Sequence, residues 1–262
     1  MKRATHVVVL GLVMALGLVT RVVAADCPDD SVRSGTVCMD KYEASVWYVL
    51  PQEKQLIAKI RDGKATLADL TAGGSQLGLV PGDLADIGCP ATGNGCVNVY
   101  AVSIPGVTPS AGLSWFQAAA AARNSLKRLP TNQEWQVAAL GTPDTVDDGL
   151  TTCAIDSLAV GATGSRGACV SDVGAFDMVG NLWEWVADWG DLANGTCTFW
   201  PGDFGSDISC VGGPGSGFSN LPGALLRGGN WDSHAPFAGV FAVNALNTPS
   251  SGTFFDGFRC AR

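Results

Sequence analysis

The chain has 262 residues, of which 47% are hydrophobic and 15% are charged, and it contains 34 Gly, 13 Pro and 9 Cys. This composition excludes a disordered chain, a collagen and a coiled coil, and no repeat of roughly 20 to 50 residues indicates a solenoid or propeller. The formal net charge of −8 disfavours nucleic acid and anionic membrane surfaces as partners. We therefore expect one loop-rich domain.

The N-terminus has the pattern of a secretory signal peptide. A basic head, residues 1–3, is followed by an apolar run over residues 7–19 and by the small residues Ala24 and Ala25. The run is too short to span a bilayer, and a buried N-terminal helix is the alternative. No later stretch predicts a membrane span. We therefore expect residues 1–25 to be a signal peptide and residues 26–262 to be one exported domain, periplasmic, secreted or associated with the cell surface.

All nine cysteines follow this leader, and in an exported chain disulfides are the expected state. Eight of them form close neighbours that would each staple a short polar loop: Cys27 with Cys38, Cys89 with Cys96, Cys153 with Cys169, and Cys197 with Cys210. Cys260 is left over. Zinc is a poor alternative, because the chain has no Cys-x-x-Cys pair and His234 is the only histidine after residue 25.

The first half of the domain predicts one strand, one helix and one long loop. Residues 26–50 are rich in β-type residues without a helical stripe, which predicts an early strand. Residues 51–72 predict a helix that Gly63 stops, with an apolar face formed by Leu56, Ile57 and Ile60. Residues 73–104 are Gly-rich and predict a loop around the Cys89–Cys96 staple.

Two further helices are predicted by their N-terminal caps. Ser114 to Gln117 and Thr131 to Glu134 both have the spacing of a capping box, in which side chains satisfy amides that a helix start leaves unpaired. Residues 142–173 and 190–222 predict loops, which are too long for a compact domain unless they are stapled or functional.

The segment 174–185 brings several oxygen-bearing side chains together. Asp177, Asn181 and Glu184, with Gly180 allowing a sharp turn, have the chemistry that a hard cation such as calcium prefers. The spacing is not that of an EF-hand. A plain turn with a tryptophan cluster is therefore an equal alternative on spacing alone.

Four motifs occur in order: residues 128–135 (RLPTNQEW), 176–185 (FDMVGNLWEW), 226–231 (LRGGNW) and 257–262 (GFRCAR). Together they closely resemble the formylglycine-generating enzyme family, also called the sulfatase-modifying factor domain, over about residues 37–262. The resemblance implies an irregular, loop-rich α+β domain of the C-type lectin-like type, with two main helices and short twisted β-strands.

The same resemblance implies a structural calcium site at Asp177 and Glu184 with the carbonyls of Gly180 and Leu182. It implies no copper site, because catalytic members hold copper with two cysteines in a segment where this chain has none between Cys210 and Cys260. Ser233 stands near one of those positions, and a hydroxyl does not replace a soft thiolate. Ala122 stands where many members carry a cysteine partner, which predicts that Cys260 is an unpaired, buried thiol.

Residues 227–259 also resemble the variable region of diversity-generating retroelement proteins. That resemblance implies a fixed frame at 227–231, 238–242, 247, 249 and 257–259. It implies the following ligand-binding positions: Trp231, Asp232, Ser233, His234, Phe237, Val243, Ala245, Leu246, Ser251, Thr253, Phe254, Phe255 and Asp256. Phe254 and Phe255 cannot both point inward from a strand, since neighbouring side chains alternate faces.

These observations favour an exported, non-catalytic protein that binds an unknown protein or glycan on its C-terminal surface, with diversification by a retroelement as a further expectation. The alternative is an oxidoreductase or maturation factor of the formylglycine-generating type that acts through an unrecognised site. A third hypothesis is a structural subunit of an envelope complex.

Overall fold

The computed structural model describes residues 26–144, 148, 150–193, 197–211 and 221–262. The predicted signal peptide lies outside the described residues. Within them, strands form a hairpin, a three-stranded sheet and a six-stranded sheet. The described part of the chain contains no helix long and apolar enough to cross a membrane. One buried cluster joins the larger two sheets, since it contains Val46 of the smaller sheet, Trp185 and Phe258 of the larger one, and Ala118 of a helix.

The predicted early strand over residues 26–50 is three strands. β1 (Ser31–Ser34) pairs with β2 (Val37–Asp40), and β3 (Ser45–Val49) starts another sheet. The single-strand prediction was wrong because Gly35, with a φ of +58°, closes a two-residue hairpin turn between Ser34 and Val37.

The predicted helix over residues 51–72 is two helices. α1 (Lys54–Arg61) buries the predicted face of Leu56, Ile57 and Ile60, and Gly63 follows its end. α2 (Leu67–Gly73) begins at a capping box, in which Thr66 accepts from the Asp69 amide and Asp69 accepts from the Thr66 amide. An Asp in place of the usual Glu or Gln hid this helix start from the sequence pattern.

The predicted loop over residues 73–104 contains β4 (Gly74–Leu77), the short helix α3 (Asp83–Asp86) and β5 (Val99–Val102). β4 and β5 flank β3 in antiparallel pairing. β5 is buried at every position, and a run of four apolar residues has no periodicity that identifies a strand.

Both predicted capping boxes are confirmed. Ser114 caps α4 (Trp115–Asn124) and Thr131 caps α5 (Asn132–Ala139), each with reciprocal hydrogen bonds to the residue three positions on. The alanines of α4 are small enough to let the helix pack closely against β5, and four of the five are buried.

The six-stranded sheet carries the C-terminal segment. Its strands are β6 (Trp183–Asp191), β7 (Thr198–Phe199), β8 (Ile208–Cys210), β9 (Pro222–Gly228), β10 (Gly239–Asn244) and β11 (Asp256–Phe258), in the order β11-β6-β9-β10-β8-β7. A short 3₁₀ helix, Gly202–Phe204, lies between β7 and β8. The predicted loop over 190–222 is therefore corrected, whereas the described part of 142–173 contains no helix or strand.

All four predicted disulfides are present: Cys27–Cys38, Cys89–Cys96, Cys153–Cys169 and Cys197–Cys210. Cys260 is free and buried, as predicted, and Ala122 is also fully buried.

A buried ion pair joins β6 to the C-terminus. The Arg259 guanidinium lies 2.5 Å from Glu184, and both side chains are buried. Arg259 also donates to the backbone carbonyls of Asp40 and Phe176, while the Trp135 indole donates to Glu184. One guanidinium therefore connects β2, the segment before β6, and the end of the sheet.

Substitution of Glu184 with Gln should lower the free energy of unfolding by about 3–5 kcal/mol, because it leaves the Arg259 charge buried without its counter-charge. Denaturant unfolding with the disulfides intact measures this. Lys59→Ala is the control, since it removes an exposed pair with Asp69 and should cost about 1 kcal/mol or less. A loss below about 1 kcal/mol for Glu184→Gln would show that another carboxylate takes over the pair.

Candidate recognition surface

An apolar cleft of about 470 Å³ lies between the C-terminal segment and three loops of the frame. Two of these loops, residues 78–82 and 108–112, lie near β4 and the start of α4, and residues 159–160 form the third. The C-terminal segment contributes Trp231 and the turn Gly252–Phe254. The volume is within the usual range of ligand pockets, and the walls are mostly apolar as such pockets are.

Phe254 is exposed at the tip of a tight turn. The Asp256 carboxylate accepts from the Thr253 amide at 2.9 Å and from the Asn247 side chain at 3.0 Å. Burial raises the pKa of Asp256 to about 6, although these hydrogen bonds oppose the shift. A Cβ on Gly252 would lie 2.5 Å from the Leu113 backbone, so glycine allows the turn to pack closely there. The turn therefore holds Phe254 in a fixed direction.

Trp231 forms the adjoining wall. Its amide donates to the Asn181 carbonyl at 2.9 Å, and its carbonyl accepts from the Ser157 amide at 2.6 Å. Its ring lies 5.4 Å from that of Phe255, which in turn lies 4.2 Å from that of Phe254. Phe255 therefore connects the rings of Trp231 and Phe254, and these two line the cleft.

Leu79 and Val80 are exposed on another wall. The Asp83 carboxylate accepts from the amides of Gly78, Leu79 and Val80 at 2.8 to 3.4 Å. Gly78 has a φ of +73°, and a Cβ there would lie 2.7 Å from Ser110. The loop is thus held in a shape that keeps two apolar side chains outside the core, a feature typical of interaction sites.

The structure separates the predicted ligand-binding positions into accessible and buried ones. Asp232, His234, Phe237, Leu246, Ser251 and Phe254 are exposed, and Trp231, Ser233, Thr253 and Phe255 are half-buried. The exposure of Phe254 confirms that it and Phe255 do not both point inward. Val243, Ala245 and Asp256 are buried, so these three predictions are corrected. Val243 and Ala245 belong to or follow β10, an internal strand between β9 and β8, and Asp256 closes the turn.

The accessible positions form more than one group. Trp231, Thr253 and Phe254 line the cleft, whereas the His234 ring packs at 4.9 Å on Phe237, whose ring contacts Phe199 at 6.0 Å. Leu79, Val80 and Phe199 were not identified from the sequence. An exposed apolar residue has no sequence signal that separates it from a core residue.

The predicted calcium ligands contact protein groups. Both oxygens of Glu184 accept hydrogen bonds from Arg259, and one also accepts from Trp135. These bonds occupy the acceptor positions of the carboxylate. A calcium ion at Glu184 would have to compete with Arg259 and Trp135. The Asp177 carboxylate accepts from the Gly164 amide, and burial raises its pKa to about 6. Calcium binding by the set Asp177, Gly180, Leu182 and Glu184 stays a prediction.

The same segment instead holds the walls of the cleft. The Asn181 side chain accepts from the Gly161 amide at 2.7 Å and donates to the buried Glu43, whose other oxygen accepts from the Leu182 amide. Burial raises the pKa of Glu43 well above its ordinary range. Asn181 thus connects two walls of the cleft. Its side chain binds the Gly161 amide, and its backbone carbonyl accepts from the Trp231 amide.

Residues 84–262 match the family described as sulfatase-modifying factor enzyme 1-like domain. Formylglycine-generating enzymes of Thermomonospora curvata and Streptomyces coelicolor are both 30% identical to this chain, over 189 and 186 residues respectively. Each alignment covers 58% of this chain, and 55% and 52% of the enzymes. The chain therefore spans about half the length of these relatives.

The chain is also similar to solved structures. The Major Tropism Determinant U1 variant has a TM-score of 0.45 at 21% identity, covering 91% of this chain and 53% of its own. CarF has a TM-score of 0.44 at 15% identity, covering 86% of this chain and 85% of its own.

Asp83→Ala should loosen the 78–82 loop, because three backbone amides lose their shared acceptor. Hydrogen exchange measured by mass spectrometry should then show faster exchange in peptides that contain Gly78 to Val80. Asp86→Ala, on the same short helix, is the matched control and should leave this loop unchanged. Equal protection in both variants would show that the loop is held by other contacts.

Proposed function

The chain belongs to the sulfatase-modifying factor enzyme 1-like domain family, and we propose that it is an exported, non-catalytic ligand-binding protein. Its recognition surface is the cleft together with the exposed positions of the C-terminal segment. The observation that carries the proposal is that the hydrogen-bonded loop Gly78 to Val80 and the aromatic side chains of Trp231 and Phe254 line the same cleft.

The chemistry of the cleft supports binding rather than catalysis. Its lining residues include no acid, no basic side chain and no cysteine, and their only side-chain polar groups are two threonine hydroxyls and the Trp231 indole. General acid–base and nucleophilic catalysis need titratable or activated groups in reach of the substrate. Ser233, which stands near the position of a family cysteine, exchanges hydrogen bonds with Asn230. The Cys260 thiol is buried, and burial raises its pKa well above the ordinary range.

The same lining favours an apolar group of a partner protein over a glycan. Sugar hydroxyls need several directed polar partners, and two hydroxyls with one indole supply few of them. Leu79, Val80 and Phe254 supply apolar area around a concave centre, which is the usual composition of an anchor pocket in a protein interface.

Export is supported by the four disulfides, which form and persist in oxidising compartments. We propose that residues 1–25 are the signal peptide that directs it there.

Phe254→Asp should weaken binding of the neutral apolar dye Nile red by about tenfold or more, because a charge would have to be desolvated in the cleft. Dye fluorescence in a titration measures this. Leu158→Asp is the matched control, since Leu158 is fully exposed but does not line the cleft. Unchanged dye affinity in Phe254→Asp would contradict the cleft as the binding site. Oxidation of a cysteine peptide by the copper-supplemented protein would instead support the formylglycine-generating alternative.

Diversification is tested by sequencing the gene and its flanks from many cells of one culture. We expect differences confined to codons for accessible positions such as Asp232, His234 and Phe254, with an adenine-rich near-copy of the segment and a reverse transcriptase gene nearby. Codons for α4 and α5 are the internal control and should not vary. A locus with no near-copy and no local variation would make this a binding protein of fixed specificity.

A further inference from the structure

The charges of the chain are distributed unevenly. Residues 129–262 contain 14 Asp and Glu but four Arg and no Lys. Arg227 and Arg259 are buried, and Arg262 pairs with Asp30 of the N-terminal part. Asp177, Glu184, Asp207 and Asp256 are buried as well. The remaining acids of this half still outnumber its accessible cations. Such a surface attracts positively charged partners.

An aromatic surface lies within this acidic half. The rings of Trp200 and Phe204 are 39% and 43% exposed, and both contact Phe241 of β10, at 6.1 and 5.4 Å between centroids. Trp200 and Phe204 also contact each other at 5.8 Å. The Cys197–Cys210 disulfide closes the loop that carries both residues, and the Trp200 amide donates to the Asp207 carbonyl. The rings are thus held at the surface by the frame.

Carboxylates adjoin the turn that follows Phe204. Asp207 accepts from the Phe241 amide at 2.7 Å. A Cβ on Gly205, the residue after Phe204, would lie 2.9 Å from Asp207 Oδ1 and 3.1 Å from Asp144 Oδ2, so both carboxyls adjoin the same turn. Partial desolvation and the neighbouring Asp207 charge raise the pKa of Asp144 to about 7, and a guanidinium bound beside it would favour the ionised form. Asp203 is exposed in the 3₁₀ helix between Trp200 and Phe204.

We propose that Trp200, Phe204 and Phe241, with the carboxylates of Asp203 and Asp144, form a second binding site that takes arginine side chains from a basic segment of a partner protein. The quadrupole of an aromatic ring attracts a cation on its face. A guanidinium is planar, so it stacks on a ring while it donates to a carboxylate, and it is more weakly hydrated than an ammonium. None of the five residues lines the apolar cleft or is one of the exposed C-terminal positions of the proposed recognition surface, so this proposal does not rest on the proposed function.

The test uses the disulfide-bonded protein and an acetylated octapeptide of alternating Arg and Gly, with affinity measured by calorimetry. The double substitution Trp200→Ala and Phe204→Ala keeps every charge and should weaken binding by about tenfold, the effect of losing a cation–π contact. Trp189→Ala is the matched control, because Trp189 is 43% exposed on β6 and lies in a different ring cluster. It should leave peptide affinity unchanged.

Two further measurements separate stacking from charge and from misfolding. Phe204→Leu keeps apolar packing but removes the ring face. It should therefore weaken binding of the arginine peptide even if the double variant does not fold. Asp203→Asn should weaken binding and reduce its salt dependence. Three results would overturn the proposal. The ring variants could bind the peptide as tightly as the wild type, or a peptide with Gln in place of Arg could bind equally well. The rings could also mediate self-association of the protein, which their substitution would abolish. Phe254→Asp should not change this affinity, so failure of the cleft and failure of this site are distinguishable.

Discussion

The ion pair between Glu184 and Arg259 is the interaction on which the arrangement of the sheet and the cleft depends. Both side chains are buried, so each charge has a stable place only beside the other. Because β11 runs parallel to β6 with Gly257 opposite Glu184, the pair fixes the register of the last strand. The remaining donors of Arg259 reach Asp40 and Phe176, which are distant in sequence. A conformation that separates any of these elements leaves a buried charge or buried carbonyl unpaired.

The cleft follows from that constraint through the segment before β6. Asp177, Gly180 and Asn181 all have positive φ values, of +57°, +75° and +56°. Such backbone conformations persist where surrounding contacts hold them. Here the contacts are the hydrogen bonds of Asp177 with Gly164 and of Asn181 with Gly161 and Glu43. Two of the side chains that suggested a cation site in the sequence, those of Asp177 and Asn181, thus accept from backbone amides, and the Asn181 carbonyl holds Trp231 beside the cleft.

Features governed by local rules were predictable from the sequence, and features governed by distant contacts were not. The capping boxes at Ser114 and Thr131 and the four disulfides between neighbouring cysteines were correct, because each depends on residues close in the chain. β4 and β5 were missed, since both are strands only through pairing with β3. The same dependence on distant contacts explains which residues of the candidate site were predicted wrongly or missed. Resemblance placed Val243 and Ala245 on the surface, whereas their burial depends on β8, and nothing in the sequence marked Leu79 and Val80 as exposed.

Residues 227–259 divide into buried positions that support the fold and exposed positions that do not. Arg227, Gly228 and Ala238 are buried in the frame, and Val243, Ala245 and Asp256 share that role. Substitutions at such sites remove packing or leave polar groups unpaired, which is costly. Asp232, His234 and Phe254 are exposed, and surface substitutions usually change stability by about 0.5 kcal/mol or less. Because the turn at Phe254 is closed by Asp256 and Asn247, its shape does not depend on the side chain at its tip. The side chains at these tips are therefore free to change while the buried frame keeps the fold.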